Sequence, residues 1–517
     1  MRKRGVLIVV FLTGFWAFGQ SPSREPALAP AVQGDVPPDL QDALGRIRAG
    51  SLRGDLSFLA SDLLEGRDTP SRGLDIAAEY IGAQFRTAGL EPIGALQPGV
   101  AGDYFQSAQM LVVEPSFTNF EVKLSQGARE FSVLPSDARL DLDAALDLKQ
   151  APLFKLDLAN AEMVDALTAG QVEGKVVITE FSPKLRPRLR AANRILRRAK
   201  PMLTILVDQK GETMRQEPGH RLEDPDEPIT TASPRITLTG DEAAQFYGAL
   251  KSGASDASIT AHIDAPNRKP VMLRNVIGIL RGSDPALRDT CVLLTAHYDH
   301  LGMRPGGSGD RIYNGANDDG SGTVSVIAAA RALAALKQRP KRSILFMTFF
   351  GEEEGLLGSE YYAHHPVWPL DKTVAQLNLE QLGRTDSTEG PQISNATLTG
   401  FDYSDLTSYL QRAGASTGIR IYKHARNSDA YFAASDNLSL AVAGVPAETL
   451  AVAFDFPDYH AVGDEWQKID YDNLAKVDRA VTLGLYLMAA SDQPVHWYEA
   501  NPKTAPYVKA WKQRGHQ

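Results

Sequence analysis

The sequence predicts an α/β protein: a mixed, doubly wound sheet with helices on both faces, plus a smaller β-rich inserted domain. Two observations carry this. From Asn275 onward, apolar strand-like runs (Cys291 to Ala296, Ser343 to Phe350, Val374 to Leu379, Val445 to Val452) alternate with helical ones. From Leu111 to Asp264 the pattern changes to short β-like runs, such as Val176-Val177-Ile178 and Leu203 to Val207, around a basic segment. At 517 residues the chain has room for two to four domains of ~150 residues, each able to bury a core.

At the N-terminus, Met1-Arg2-Lys3-Arg4 precedes an apolar run from Val6 to Phe18 and a small-x-small signal at Ala17-Phe18-Gly19, the pattern of a secretory signal peptide over 1–19. The run is shorter than the ~20 residues that span a bilayer. Cleavage would remove three basic residues and no acid, taking the net charge from −9 to −12. That balance argues against nucleic acid as a partner. Residues 20–41, rich in Pro, Ala and Ser, read as a flexible leader. Between Ile76 and Ala88, the residues Ala77, Ile81, Phe85 and Ala88 share a helical face, with Gly89 placed to cap its end. A helix from Gly322 to Leu336, carrying Val326, Ala329, Ala330 and Leu333, follows the first strand of the sheet. The single cysteine, Cys291, forbids an internal disulfide and thiolate clusters, and its apolar surroundings suit an inert buried thiol.

In doubly wound sheets the functional site lies at the carboxyl ends of the strands. After the first strand comes His297-Tyr298-Asp299-His300, in which a carboxylate two residues on could orient a metal-binding imidazole, a weak signal alone. Next is Asn314-Gly315-Ala316-Asn317-Asp318-Asp319-Gly320-Ser321-Gly322. A phosphate loop would need Lys where Ser321 stands. A helix cap explains one of the two adjacent acids, and a bridging metal ligand explains the pair better. After Ser343 to Phe350 come Glu352, Glu353 and Glu354, which repel one another unless a cation neutralises them. The third strand ends in Glu380, and a late loop offers Asp458-Tyr459-His460.

Taken in order, H-x-D, G-A-x-D-D-x-S-G, E-E-x-G-L-x-G-S, N-L-[DE] and Y-H resemble the secreted di-zinc aminopeptidases, whose catalytic domain is shared with glutamate carboxypeptidase and glutaminyl cyclase. The resemblance runs from about Leu273 to Ala490 and includes Leu59 to Arg67, similar to the family's lead-in segment. It implies a zinc-aminopeptidase (phosphorylase/hydrolase-like) fold, with 42–110 and 265–490 forming the peptidase domain, 111–264 a protease-associated-like insert, and 491–517 a tail. It further implies that His297 and Glu380 hold one zinc, Glu353 and His460 the other, and that Asp318 bridges both. Glu352 would be the general base acting on a water between the metals, Asp299 would orient His297, Glu354 would be a spare acid, and the Asp318–Asp319 peptide would be cis. Manganese or cobalt would suit the same donors.

The implied activity is removal of the N-terminal residue from peptides or proteins, by a secreted or periplasmic enzyme with no stable membrane insertion after signal cleavage. Two positions depart from the family: Glu380 stands where Asp is commoner, and Ser435-Asp436-Asn437 where the motif usually ends in His. Three alternatives stay open: a carboxypeptidase, which needs a cationic pocket; a glutaminyl cyclase, which uses one zinc; and a non-catalytic peptide-binding relative, which would have lost ligands. The basic stretch Lys184 to Lys200 reads as a solvated helix face, with docking to an anionic polymer as the functional option.

Overall fold

The computed structural model describes residues 37–95, 103–210, 220–226, 234–304, 309–387 and 389–515. The expected signal peptide and the leader up to residue 36 lie outside the described residues. The end of the expected leader is helical: Pro38–Gly45 has Pro in its first turn and buries Leu40, Ala43 and Leu44.

Among the described residues the first sheet has nine strands, in the order Arg420–Tyr422, Asn395–Leu398, Ala447–Ala451, Thr373–Glu380, Cys291–His297, Ser343–Phe349, Asn267–Leu280, Phe105–Glu114 and Arg221–Glu223. The four from Ala447–Ala451 to Ser343–Phe349 are parallel. Antiparallel pairs on either side make the sheet mixed, as expected. Three of the central strands are buried along their whole length, which is why they read as unbroken apolar runs. Alternation then assigns the faces. Val292, Leu294, Ala296, Ile344 and Phe346 pack under one helical layer that includes Arg72–Ala88, Gly322–Ala334, Leu406–Thr417 and Tyr471–Ala490. Leu293, Leu345, Met347 and Phe349 pack under the other, against Tyr362, Leu440 and Val508.

The helix expected from Ile76 begins earlier, at Arg72, because the Ser71 side chain caps it by accepting from Leu74 N, and it ends at Gly89 in the left-handed region. The final residues are more than a tail: Ala505–Gln513 is a helix, and Trp497 and Val508 are buried in the second layer.

The second sheet has eight strands among the described residues between Glu121 and Ile263. The chain leaves the first sheet after Glu114 and rejoins it at Asn267. Residues 111–114 therefore belong to the first sheet, and so does Arg221–Glu223, which pairs with them. In this region the basic stretch forms the helix Arg186–Ala199. It buries Ala192, Leu196 and Ala199 and leaves Arg194, Arg197 and Arg198 exposed, the pattern of a solvated face. Among the described residues no helix is long and apolar enough to cross a membrane.

Candidate metal centre

The parallel strands deliver their carboxyl ends to one place. His297 and Glu380 are the last residues of their strands, Glu352 and Glu353 follow Phe349 across a turn, and His460 lies in the loop after Ala447–Ala451. Asp318 arrives in the irregular turn Ala316–Ser321 ahead of the helix Gly322–Ala334, and its peptide bond to Asp319 is cis. The Asp318 carboxylate faces both imidazoles: Oδ1 is 3.3 Å from His297 Nε2 and Oδ2 is 3.1 Å from His460 Nε2. His297 Nε2 is also 3.7 Å from Glu380 Oε1, and His460 Nε2 is 3.3 Å from Glu353 Oε2.

These separations test the fit to metal. Donors held ~2.0–2.2 Å from one tetrahedral zinc stand ~3.4 Å apart. All four distances fall near that value, in two groups that share Asp318. Two imidazoles and three carboxylates without a thiolate fit divalent zinc. Buried Asp319 Oδ2 has no hydrogen-bond partner, a further mark of a site arranged for cations.

The charge balance points the same way. Burial, with Glu380 and Glu353 adding to it, pushes the Glu352 carboxyl well above the usual range. Burial opposes the positive charge on His297, yet Glu380 and Glu352 hold its pKa well above the ordinary value. Burial also opposes the charge on Asp318, but His297 and His460 keep it well below the carboxylate range. Glu354 is pushed up to about 8 by burial and by Asp68 and Asp299.

Supporting contacts fix the donors, and most of them were invisible in the sequence. His297 Nδ1 lies 3.2 Å from the Asp299 carbonyl and 3.4 Å from its carboxylate, which leaves Nε2 for the acids. The Asp299 carboxylate also accepts from Glu352 N and Glu353 N, so it anchors the acidic loop as well as the imidazole. Ser435 Oγ donates to Glu380 Oε1 at 2.5 Å and accepts from Asn378 Nδ2. Asp464 accepts from Asn317 N and Asp318 N, fixing Asp318 through its backbone. His300, given no role by the sequence, is buried with Nδ1 2.8 Å from Glu353 Oε1. Its place in the His297 motif was the one available signal. Asn437, the last residue of Ser435-Asp436-Asn437, donates to Phe432 O and accepts from Thr449 Oγ1.

A cavity opens onto Asp318, Glu352, Glu353, Glu380 and His460. Tyr431 and Phe454, stacked with centroids 4.9 Å apart, form one apolar wall, and Tyr459 stacks on His460 at 4.0 Å. Cys291 is far from this chemistry in character: burial pushes its thiol up to about 12.

Comparison with known proteins agrees with the motifs. Residues 275–483 match peptidase family M28. The aminopeptidase YwaD of Bacillus subtilis is 28% identical over 222 residues, 41% of this chain and 44% of that protein. Leucine aminopeptidase 1 of Sclerotinia sclerotiorum is 28% identical over 218 residues, 39% of this chain and 53% of that protein. A probable glutamate carboxypeptidase of Zea mays, VP8, is 28% identical over 270 residues, 48% of this chain and 34% of that protein. The chain thus spans about a third to a half of the length of these relatives. In fold, an aminopeptidase from Aneurinibacillus sp. strain AM-1 superposes with a TM-score of 0.56 over 88% of this chain and 97% of its own, at 18% identity. The mixed sheet, its helical layers and the motif order agree with this match, and residues 275–483 are similar to peptidase family M28.

Proposed function

We propose that the protein is an exported di-zinc aminopeptidase that hydrolyses the N-terminal peptide bond of peptides or proteins. One observation carries the choice of terminus. The cavity beside the donors is lined by Asp318, Glu352, Glu353 and Glu380, with no Lys or Arg among its described lining residues. A substrate ammonium group finds carboxylates there, whereas a C-terminal carboxylate finds no cation, which disfavours the carboxypeptidase reading. The full set of five donors disfavours the one-zinc cyclase and the non-catalytic relative.

In this reading His297, Glu380 and Asp318 hold one zinc, and His460, Glu353 and Asp318 the other. The bound metals would supply Lewis acidity, easing deprotonation of a water and polarising the scissile carbonyl. Glu352 takes the proton from the attacking water and returns it to the leaving amine. Asp299 keeps Glu352 in place by accepting from its backbone N–H. The stacked Tyr431 and Phe454 offer an apolar surface to the first side chain. We assign residues 1–19 to a signal peptide and the second sheet to a protease-associated-like insert.

The test is hydrolysis of one peptide in three forms by zinc-loaded protein: free amine, N-acetylated and C-amidated. The free-amine and C-amidated forms should be cleaved at the first bond, and the N-acetylated form should resist. Cleavage that needs a free C-terminal carboxylate would establish the carboxypeptidase instead, and one zinc per chain would favour the cyclase.

A further inference from the structure

The segment Leu59–Arg67 takes no part in the chemistry above, yet its last residue sits under the centre. We propose that Arg67 is a positioning residue, which sets the spacing between the loop that carries His297 and the loop that carries Asp318. The inference rests on the di-zinc reading and adds a residue to it.

Arg67 is 1% exposed. Its Nε donates to Tyr298 O at 2.7 Å, between His297 and Asp299 in the chain. Its Nη1 donates to Asn314 O at 2.8 Å and to Leu59 O at 2.5 Å, and its Nη2 to Gly315 O at 2.9 Å. One planar group thus joins the carbonyls of both metal-bearing loops, more than 230 residues along the chain, to the end of the helix Ala49–Leu59. Four good acceptors compensate a guanidinium removed from water. The charge persists: burial lowers its pKa only to about 10, because Asp299, Asp464, Asp319 and Asp318 oppose the loss.

The backbone delivers the side chain in a set way. Glu65, Gly66 and Arg67 all have positive φ, at 49°, 74° and 53°. A Cβ on Gly66 would lie 2.4 Å from Gly302 O and 2.5 Å from Tyr313 O, so the turn closes against the same two loops only with glycine there. His300 N donates to Arg67 O, and Gly302 N to Gly66 O, which ties the His297 loop to the turn by main chain as well. A lysine keeps the charge but presents three donors from one point, and cannot reach carbonyls on both loops as the fork does.

The experiment uses the full-length protein, with Arg67→Lys, Arg67→Ala and Gly66→Ala, each checked for folding by circular dichroism without zinc. Zinc equivalents and stepwise affinities are then read by chelator competition, beside kcat and KM. Contacts that orient ligands are worth ~10–100-fold in metal affinity. Arg67→Lys should weaken both zincs by about that factor and lower kcat more than KM, and methylguanidinium should restore part of the zinc affinity of Arg67→Ala. A folded Arg67→Lys that binds both zincs as tightly as the parent overturns the role of Arg67, even if it melts at a lower temperature. Failure of all three variants to fold overturns it too, since Arg67 would then be a general core residue. A parent protein that takes up no zinc overturns the di-zinc reading itself, a result distinguishable from either.

Discussion

Replacing Glu380 by Asp asks whether the unusual glutamate is a matched part of the centre. Glu380 closes its strand and is held by parallel pairing with Ala447–Ala451, in which it aligns with Ala451. Its backbone is therefore not free to advance. Its Oε1 stands 3.7 Å from His297 Nε2 and accepts from Ser435 Oγ at 2.5 Å. Removing one methylene withdraws the carboxylate by up to ~1.5 Å, the length of one C–C bond. The distance to His297 Nε2 would then approach ~5 Å, beyond the ~3.4 Å that two donors on one zinc require. Metal sites tolerate errors of only ~0.2 Å in ligand distance. Loss of both the donor and its serine contact should weaken the zinc beside His297 by ~100-fold or more, or ~2.7 kcal/mol, and leave the zinc beside His460 within a few-fold of the parent. Stepwise zinc loss against a graded chelator reads both sites in one titration. If Glu380→Asp holds both ions as tightly as the parent, the strand end yields and the distance reasoning fails. If Glu380→Ala does so as well, Glu380 is not a ligand.

Glu352→Gln should keep the fold and both zincs while kcat falls by ~10²–10⁴, because only proton transfer is removed; metal analysis beside steady-state kinetics checks it. Glu353→Gln should instead lose zinc from the site shared with His460, seen as a drop in bound metal before any effect of substrate. Glu448, fully buried and accepting from Ser404 and Thr407, has its carboxyl pushed by burial from 4.5 to about 8. A raised folded pKa means that the protonated form suits the fold, so stability should fall as pH rises from about 4.5 to about 8 and then level off. Glu448→Gln should flatten that fall in melting temperatures measured across the same range, and an unchanged slope would show that Glu448 ionises freely.

The central strands and the residue types at their ends are legible in the sequence. Strands buried on both faces must be apolar throughout, so Cys291–His297 and Ser343–Phe349 announce themselves, and a polar residue just after such a run has few reasons to be there. That logic placed His297, Glu352, Glu353 and Glu380 at one sheet edge, and the order of the motifs supplied Asp318 and His460. The boundary of the second sheet was legible only approximately, since residues 111–114 continue a strand of the first sheet that pairs with Asn267–Leu280 on one side and Arg221–Glu223 on the other.

How these side chains are held follows from contacts that only the fold creates. Asp464 reaches the backbone of Asp318 across 146 residues, Ser435 reaches Glu380 across 55, and Arg67 reaches Tyr298 across 231. Each of these side chains is of a type found throughout the chain, and nothing local says which distant group it meets. The contacts exist because folding brings loops from distant strands to one edge, where buried carboxylates and carbonyls must find donors or pay the cost of desolvation. Periodicity and spacing report what a segment does with its own neighbours, whereas the support of a metal centre is a property of which loops meet.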